Sequence, residues 1–376
     1  MLDLGLIRND IDVIDKQIVE LYEKRIALTN QVAEYKISTG KAVLDTEREM
    51  EKLEALSKLV ETEENKHLIR ELFSQIMSMS RKHQYRLMED RGFTYCKPFS
   101  IIDAIDKKNA KVVYQGVEGA YSHIAMRQFF GNDVNGYNTP TWRDAIEDVK
   151  NGKADYAVLP IENSTAGAVT QVIDLIEEYD MYVVAETHVK VEHALLGLEN
   201  AYIEDIKVVY SHPQALAQCE HYLYEHPSWQ QISMTNTALS AKRIVEEGDV
   251  THAAIASKEA GELFGLKVLK EKLNYNDANT TRFVIVGRDR VFVKDANKVS
   301  ICVELKHEPG SLYNLLSHII FNGLNMDSIE SRPIEGKNWE YRFFIDFDGN
   351  MQDPNVIATL HGLEAESSKI KLLGNF

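Results

Sequence analysis

Cysteine is scarce in this chain: three in 376 residues, Cys96, Cys219 and Cys302, set far apart. That excludes a disulfide framework and any cysteine-based metal spacing, and it fits a reducing cytoplasm. No basic-then-apolar segment precedes the first amphipathic stretch, so a secretory leader is not expected. Long apolar runs are missing as well. None approaches the roughly 20 residues that cross a bilayer, which argues against a membrane protein. No Pro- or Gly-rich tract marks disorder, and 44% hydrophobic with 27% charged residues is a globular composition. Positive charge is the last deficit: 42 Lys and Arg against 58 Asp and Glu, a net charge of −16. With no basic run to offset it, nucleic acid and anionic membranes are excluded as partners.

Such a length exceeds one ordinary core, and the pattern of residues divides it. Residues 1–90 carry helical periodicity only and read as three helices of a bundle. The first is expected over Leu6 to Ser38, ending at Thr39-Gly40. The second follows an Asp45 or Thr46 cap, and the third follows Asn65 with Leu68, Leu72, Ile76 and Met79 on its buried stripe. Residues 91–109, broken by Gly92 and Pro98, read as a linker. From 110 to 290 short β-rich runs alternate with helices, the pattern of an α/β domain with mostly parallel pairing. The span 297–376 has the order βαββαβ of a small ferredoxin-like α+β domain.

In the first helix, Ile7, Ile11, Ile14, Ile18 and Leu21, then Leu28, Val32 and Tyr35, recur at alternating spacings of three and four. Arg25 interrupts that seam. A guanidinium cannot shed its charge there, so it needs an anionic partner, either a structural ion pair or a ligand. Lys36 lies about 20° from Arg25 in azimuth and about 16 Å along the axis, facing the same way. Arg8 is about 25 Å from Arg25 and about 100° off that face, so one ligand reaches both only if Arg8 comes from a second copy. Asp45, Arg48 and Glu49 share one face of the second helix, and Ser80 and Gln84 one face of the third. Each pair alone is an ordinary surface arrangement. Together they aim polar faces from three helices at one interior, around a small anion.

This set, Arg8, Arg25, Lys36, Asp45, Arg48, Glu49, Ser80 and Gln84, resembles in order and spacing the active site of the all-helical chorismate mutases. The resemblance implies an intertwined dimer. It implies that Arg25, Ser80 and the other subunit's Arg8 hold the two carboxylates of chorismate. Asp45 and Glu49 would take its hydroxyl, and Lys36 and Gln84 would face the ether oxygen. A Claisen rearrangement needs no nucleophile, only a folded substrate and donors where charge develops.

In the α/β segment, Gly116-Val117-Glu118-Gly119-Ala120-Tyr121-Ser122 lies between a strand and a helix, a place where backbone N–H groups meet anions. Its glycine spacing is not that of a dinucleotide fingerprint, which makes a fused dehydrogenase a poor alternative. Polar clusters mark three more strand ends: Pro160-Ile161-Glu162-Asn163-Ser164, Ser211-His212-Pro213-Gln214 and Asn279-Thr280-Thr281-Arg282-Phe283. Each alone is compatible with turn capping. Together they are similar to prephenate dehydratase, which implies a two-lobed fold like periplasmic binding proteins, with prephenate in the cleft. The resemblance gives Thr281 the central catalytic role and Arg282 a substrate carboxylate. Asn163, Ser164, Ser211 and Gln214 would line the cleft, with Tyr121 and Ser122 nearby. Val117 stands where that family usually has proline. The histidines 188, 193, 212 and 221 have no ligand spacing and are expected on surfaces or loops.

In the last segment, Glu308-Pro309-Gly310-Ser311-Leu312 and Glu330-Ser331-Arg332-Pro333 resemble the two signatures of a dehydratase-type ACT regulatory domain. Ser311 and Tyr313 depart from its Gly-Ala-Leu-Leu pattern. The implied effector is phenylalanine, bound between paired domains by Pro309 to Leu312 and Glu330 to Pro333. The whole chain thus resembles the bifunctional chorismate mutase–prephenate dehydratase family, enzymes needing no metal or cofactor. A non-catalytic amino-acid-responsive binding protein is the alternative from another class. Thr281 and the complete mutase set weigh against it.

Overall fold

The computed structural model describes residues 3–92, 99–334, 336–337 and 339–376, in two compact units. The first unit joins Met1–Pro98 to Asn297–Leu372; the second holds Phe99–Ala296 and Leu373–Phe376.

Three helices open the first unit: α1 (Leu4–Thr39), α2 (Thr46–Ser57) and α3 (Glu63–Asp90). Their ends follow capping chemistry. Asp3 caps α1, Gly40 closes it in the left-handed conformation, Asp45 caps α2, and Thr62 caps α3. The apolar seam of α1 is not buried within the chain. Ile14 is 54%, Leu21 65% and Leu28 60% exposed. The face turned to the rest of the chain runs instead through Tyr22, Arg25, Ile26, Thr29, Ala33 and Lys36. The expected stripe of α3 is likewise shifted. Leu68 and Leu72 are exposed, whereas Met77, Ser80, Arg81, Gln84 and Tyr85 are buried.

The second unit begins with β1 (Ser100–Ile102), β2 (Lys111–Gln115), α4 (Tyr121–Phe130), β3 (Asn135–Thr139) and α5 (Trp142–Lys150). Next come β4 (Tyr156–Asn163), the short β5 (Gly167–Ala168), α6 (Thr170–Glu178) and β6 (Tyr182–Lys190). A second lobe holds β7 (Ala194–Gly197), β8 (Val208–Ser211), α7 (Pro213–Gln218), α8 (Glu220–Tyr224) and β9 (Gln230–Ser233). It ends with α9 (Thr237–Glu247), β10 (His252–Ala256), α10 (Lys258–Phe264) and β11 (Lys267–Lys270). The chain then returns to the first lobe as β12 (Thr280–Gly287) and β13 (Val291–Val293).

Strand order is β6-β12-β4-β2-β3 in the first lobe and β11-β7-β10-β8-β9 in the second. The pairing is mixed rather than mostly parallel. β12 runs antiparallel to both β4 and β6, and β7 antiparallel to β10 and β11. β12 runs back because the chain re-enters the first lobe at the edge where it left: Thr280, at the start of β12, pairs with Lys190, at the end of β6. Where described, the expected linker is structured. β1 pairs with β13 and Ile105 is buried in the first lobe's core, while Pro98 and Cys96 lie outside the described residues.

The first unit is completed by β14 (Lys298–Glu304), α11 (Ser311–Phe321), β15 (Met326–Pro333), β16 (Tyr341–Asp348), α12 (Pro354–Glu366) and β17 (Lys369–Asn375). Its strands lie in the order β15-β16-β14-β17, the βαββαβ arrangement read from the sequence. Helices α11 and α12 pack on α3. The last residues, Leu373–Phe376, belong to the second unit, where Gly374 pairs with Val183.

Candidate active sites

The helical site is built from α1, α2 and α3. Arg25 Nη1 donates to Ser80 Oγ, which in turn donates to the Ile76 carbonyl at 2.8 Å. One turn on, Gln84 is buried; its Nε2 donates to the Ser80 carbonyl at 3.2 Å and its Oε1 has no partner among the described residues. Lys36 Nζ donates to the Val43 carbonyl, and burial lowers its pKa against the opposing pull of Asp45 and Glu49. Asp45 is occupied as the α2 cap, accepting from Arg48 N at 3.1 Å. Arg48 is exposed and pairs with Glu51, and Arg8 is exposed at the far end of α1. Thus Arg25, Lys36, Glu49, Ser80 and Gln84 share an interior, while Arg8 and Arg48 stand outside it. Sequence reasoning missed Arg81, whose Nη1 donates to both Glu49 oxygens at 2.6 Å. Its signal was a basic residue beside Ser80 within the helix that packs on both others.

The second site is a cleft of roughly 650 Å³ between the lobes of the α/β unit. Thr281 on β12 faces Asn163 on β4 in register. Asn163 Nδ2 donates at 2.9 Å to Thr281 Oγ1 and at 2.9 Å to Asn279 Oδ1. Its Oδ1 accepts from the Thr165 and Ala166 N–H groups, at 3.0 and 2.9 Å, so the amide cannot turn over. A hydroxyl that accepts from Asn163 keeps its own proton to donate into the cleft.

Gly116, Tyr121, Ser122 and Gln214 also line this space. Gly119 has φ +82° and lets the loop approach α10, where an added Cβ would stand 3.3 Å from Ala260. Val117 packs against the second lobe's core. Three expected residues are placed elsewhere. Ser211 is buried beneath the cleft and donates to the Ile255 carbonyl at 2.6 Å. Ser164 turns to the Ala278 carbonyl and the Thr280 N–H. Arg282 lies between Glu162 and Glu186, at 3.7 and 3.5 Å, because alternation along a strand puts it on the face opposite Thr281 and Phe283.

No Lys, Arg, Asp or Glu lines the cleft among the described residues. Helix starts ring it instead: Tyr121 and Ser122 of α4, Trp142 of α5, Thr170 and Gln171 of α6, and Thr237 of α9. Their N–H groups and dipoles favour anions. The indole Nε1 of Trp142 is buried without a partner among the described residues. His193, expected on a surface or loop, lies in the loop between β6 and β7 and is 2% exposed. Its Nδ1 lies 3.1 Å from the Tyr121 hydroxyl and its Nε2 3.0 Å from Gln218 Oε1. Burial pulls its pKa down to about 4 and pushes that of Tyr121 up, so both are neutral near pH 7.

A third hollow, of roughly 560 Å³, opens at the start of α11 and is lined by Pro309, Ser311, Leu312, Glu308, Tyr341 and Phe343 among others. Gly310 caps α11 with φ +84°. Glu330, Ser331, Arg332 and Pro333 lie on the edge strand β15 and do not line this hollow.

Residues 7–85 match the family model of chorismate mutase type II, and residues 112–291 that of prephenate dehydratase. A bifunctional chorismate mutase/prephenate dehydratase of Enterobacter agglomerans is 30% identical, over 98% of this chain and 94% of its own. This chain belongs to that bifunctional family. It carries both enzyme activities, in a helical mutase region and an α/β dehydratase region. A prephenate dehydratase of Arthrobacter aurescens, solved with L-Phe, is 32% identical with a TM-score of 0.65, covering 70% of this chain and 88% of its own. A structure described as a quorum quenching acylase, GqqA, is similar at 31% identity and TM-score 0.65, covering 70% of this chain and 96% of its own. No helix among the described residues is long and apolar enough to cross a membrane.

Proposed function

We propose that the chain works as a homodimer that turns chorismate into prephenate in its helical site and prephenate into phenylpyruvate in its cleft. Bound phenylalanine inhibits it. In the helical site Arg25 and Ser80, with the partner copy's Arg8, take the substrate carboxylates, and Glu49 takes the hydroxyl. Lys36 stabilises charge growing on the ether oxygen. Gln84 joins it when its amide turns to present nitrogen. The exposed seam of α1, with Ile14, Leu21 and Leu28 each more than half exposed, supports a second copy lying along it.

In the cleft, prephenate loses carbon dioxide and hydroxide together. Thr281 donates its proton toward the leaving hydroxyl while Asn163 holds the oxygen. That hydrogen bond carries the assignment. With Arg282 turned to Glu162 and Glu186, the helix starts and the Trp142 indole supply anion recognition. Diffuse N–H donors hold a departing carboxylate without clamping it, which a guanidinium would do. Acyl hydrolysis would need a base beside the nucleophile; Asn163 is not one. The hollow at α11 is the proposed phenylalanine site of an ACT-type domain, with the carboxylate at the helix start. Buried Cys219, a free thiol, fits a cytoplasmic protein.

The test is direct. Purified chain given chorismate should consume it and yield phenylpyruvate, read by its absorbance in alkali, and added phenylalanine should slow this. Consumption of chorismate without phenylpyruvate would reject the cleft assignment.

A further inference from the structure

Arg81 follows Ser80 on α3 and is only 7% exposed, although its charge is permanent. Two carboxylates meet it there. Both Glu49 oxygens accept from Nη1 at 2.6 Å, and Glu366 Oε1, at the end of α12, accepts from Nε at 2.7 Å. The same Glu366 oxygen lies 3.1 Å from Nε2 of His318 on α11, a side chain with no solvent exposure. Burial alone would raise the Glu366 pKa, but His318 and Arg81 pull it down to about 2. Gly362 leaves room for this stack, since a Cβ there would stand 2.2 Å from His318 Nδ1. Beside it, Lys82 Nζ donates to Ser317 Oγ at 2.6 Å and Arg86 Nη2 to Asn322 Oδ1 at 3.0 Å. One side of α3 therefore faces the helical site and the next faces α11 and α12.

We propose that Arg81 is a positioning residue for the mutase reaction, fixing the Glu49 carboxylate, and that Glu366 and His318 make the C-terminal α+β region part of that support. The inference rests on Glu49 receiving the hydroxyl of chorismate. Among the described residues Arg81 is the hydrogen-bond partner of that carboxylate. A guanidinium held from its other side by a buried ion pair has little freedom to swing, and the carboxylate it holds shares that order. The hollow at Pro309 to Leu312 opens on the same α11 that carries Ser317 and His318. A ligand seated there bears on a helix that already touches the support of the mutase site.

Arg81→Lys and Glu366→Gln, made in the full chain, keep a donor or an acceptor in place and avoid a bare buried charge. Each should lower mutase kcat/KM by about tenfold, the usual scale for one charged hydrogen bond, and leave dehydratase kcat/KM within about twofold. In a Glu49→Gln background, Arg81→Lys should cost less than about twofold more, because the group it positions is already changed. Equal losses in both backgrounds, or a parallel fall in dehydratase activity, would show a general structural role and overturn the proposal. So would unchanged mutase kinetics in both variants. An unaltered chain that fails to rearrange chorismate would instead sink the underlying assignment of Glu49.

Discussion

The chemistry proposed for Thr281 depends on a neighbour that cannot rotate. With Asn163 fixed through Thr165 and Ala166, the Thr281 oxygen is committed as acceptor and its proton is free. Thr281→Ala should cut dehydratase kcat roughly a hundredfold with KM little changed, and Thr281→Ser should restore much of it, both read by steady-state kinetics. His193 makes a pH prediction. Its folded pKa of about 4 lies below the ordinary value of 6.5, so the unfolded chain binds the extra proton between the two. Stability from the neutral ring is present above about pH 6.5 and is lost as pH falls toward 4. Urea melts across that window should show this slope, and His193→Gln should flatten it. The sequence marked Thr281 and Asn163 by their polar clusters, but not His193. A lone histidine carries no spacing, and its burial depends on Tyr121 and Gln218 arriving from other elements.

Single elements were legible where local chemistry decides. The caps of α1 and α2 and the strands of the last domain lie within a few residues of their expected places. Pairing partners were not legible, because periodicity records which residues alternate and not which strand lies alongside. Arg282 shows the cost of reading a motif as a string. Its neighbours in sequence, Thr281 and Phe283, face the cleft, and the pleat turns it away. On α12, Gly362 tests packing against propensity. Gly→Ala in an open helix stabilises by about 1 kcal/mol, yet here the added methyl meets the His318 ring. Gly362→Ala should therefore destabilise the first unit by roughly 1–3 kcal/mol, measured by denaturant unfolding.

At the scale of the molecule, the two proposed reactions differ in what they require. The cleft is lined by side chains of one chain, whereas Arg8 is too far along α1 to reach its own Arg25. Arg8→Ala and Arg25→Ala chains, each nearly inactive as a mutase, should regain about a quarter of native mutase activity when mixed and allowed to exchange, since one site per mixed dimer is whole. The α1 seam explains why a sequence reader finds a core that the isolated chain does not bury. Its apolar rhythm was plain, and its proposed partner, a second copy of the chain, is not in the sequence as a separate segment. In the proposed dimer the exposed ridge also ties catalysis to abundance. Serial dilution should silence the rearrangement before it touches the dehydration, so a scarce protein would be left consuming prephenate it can no longer make.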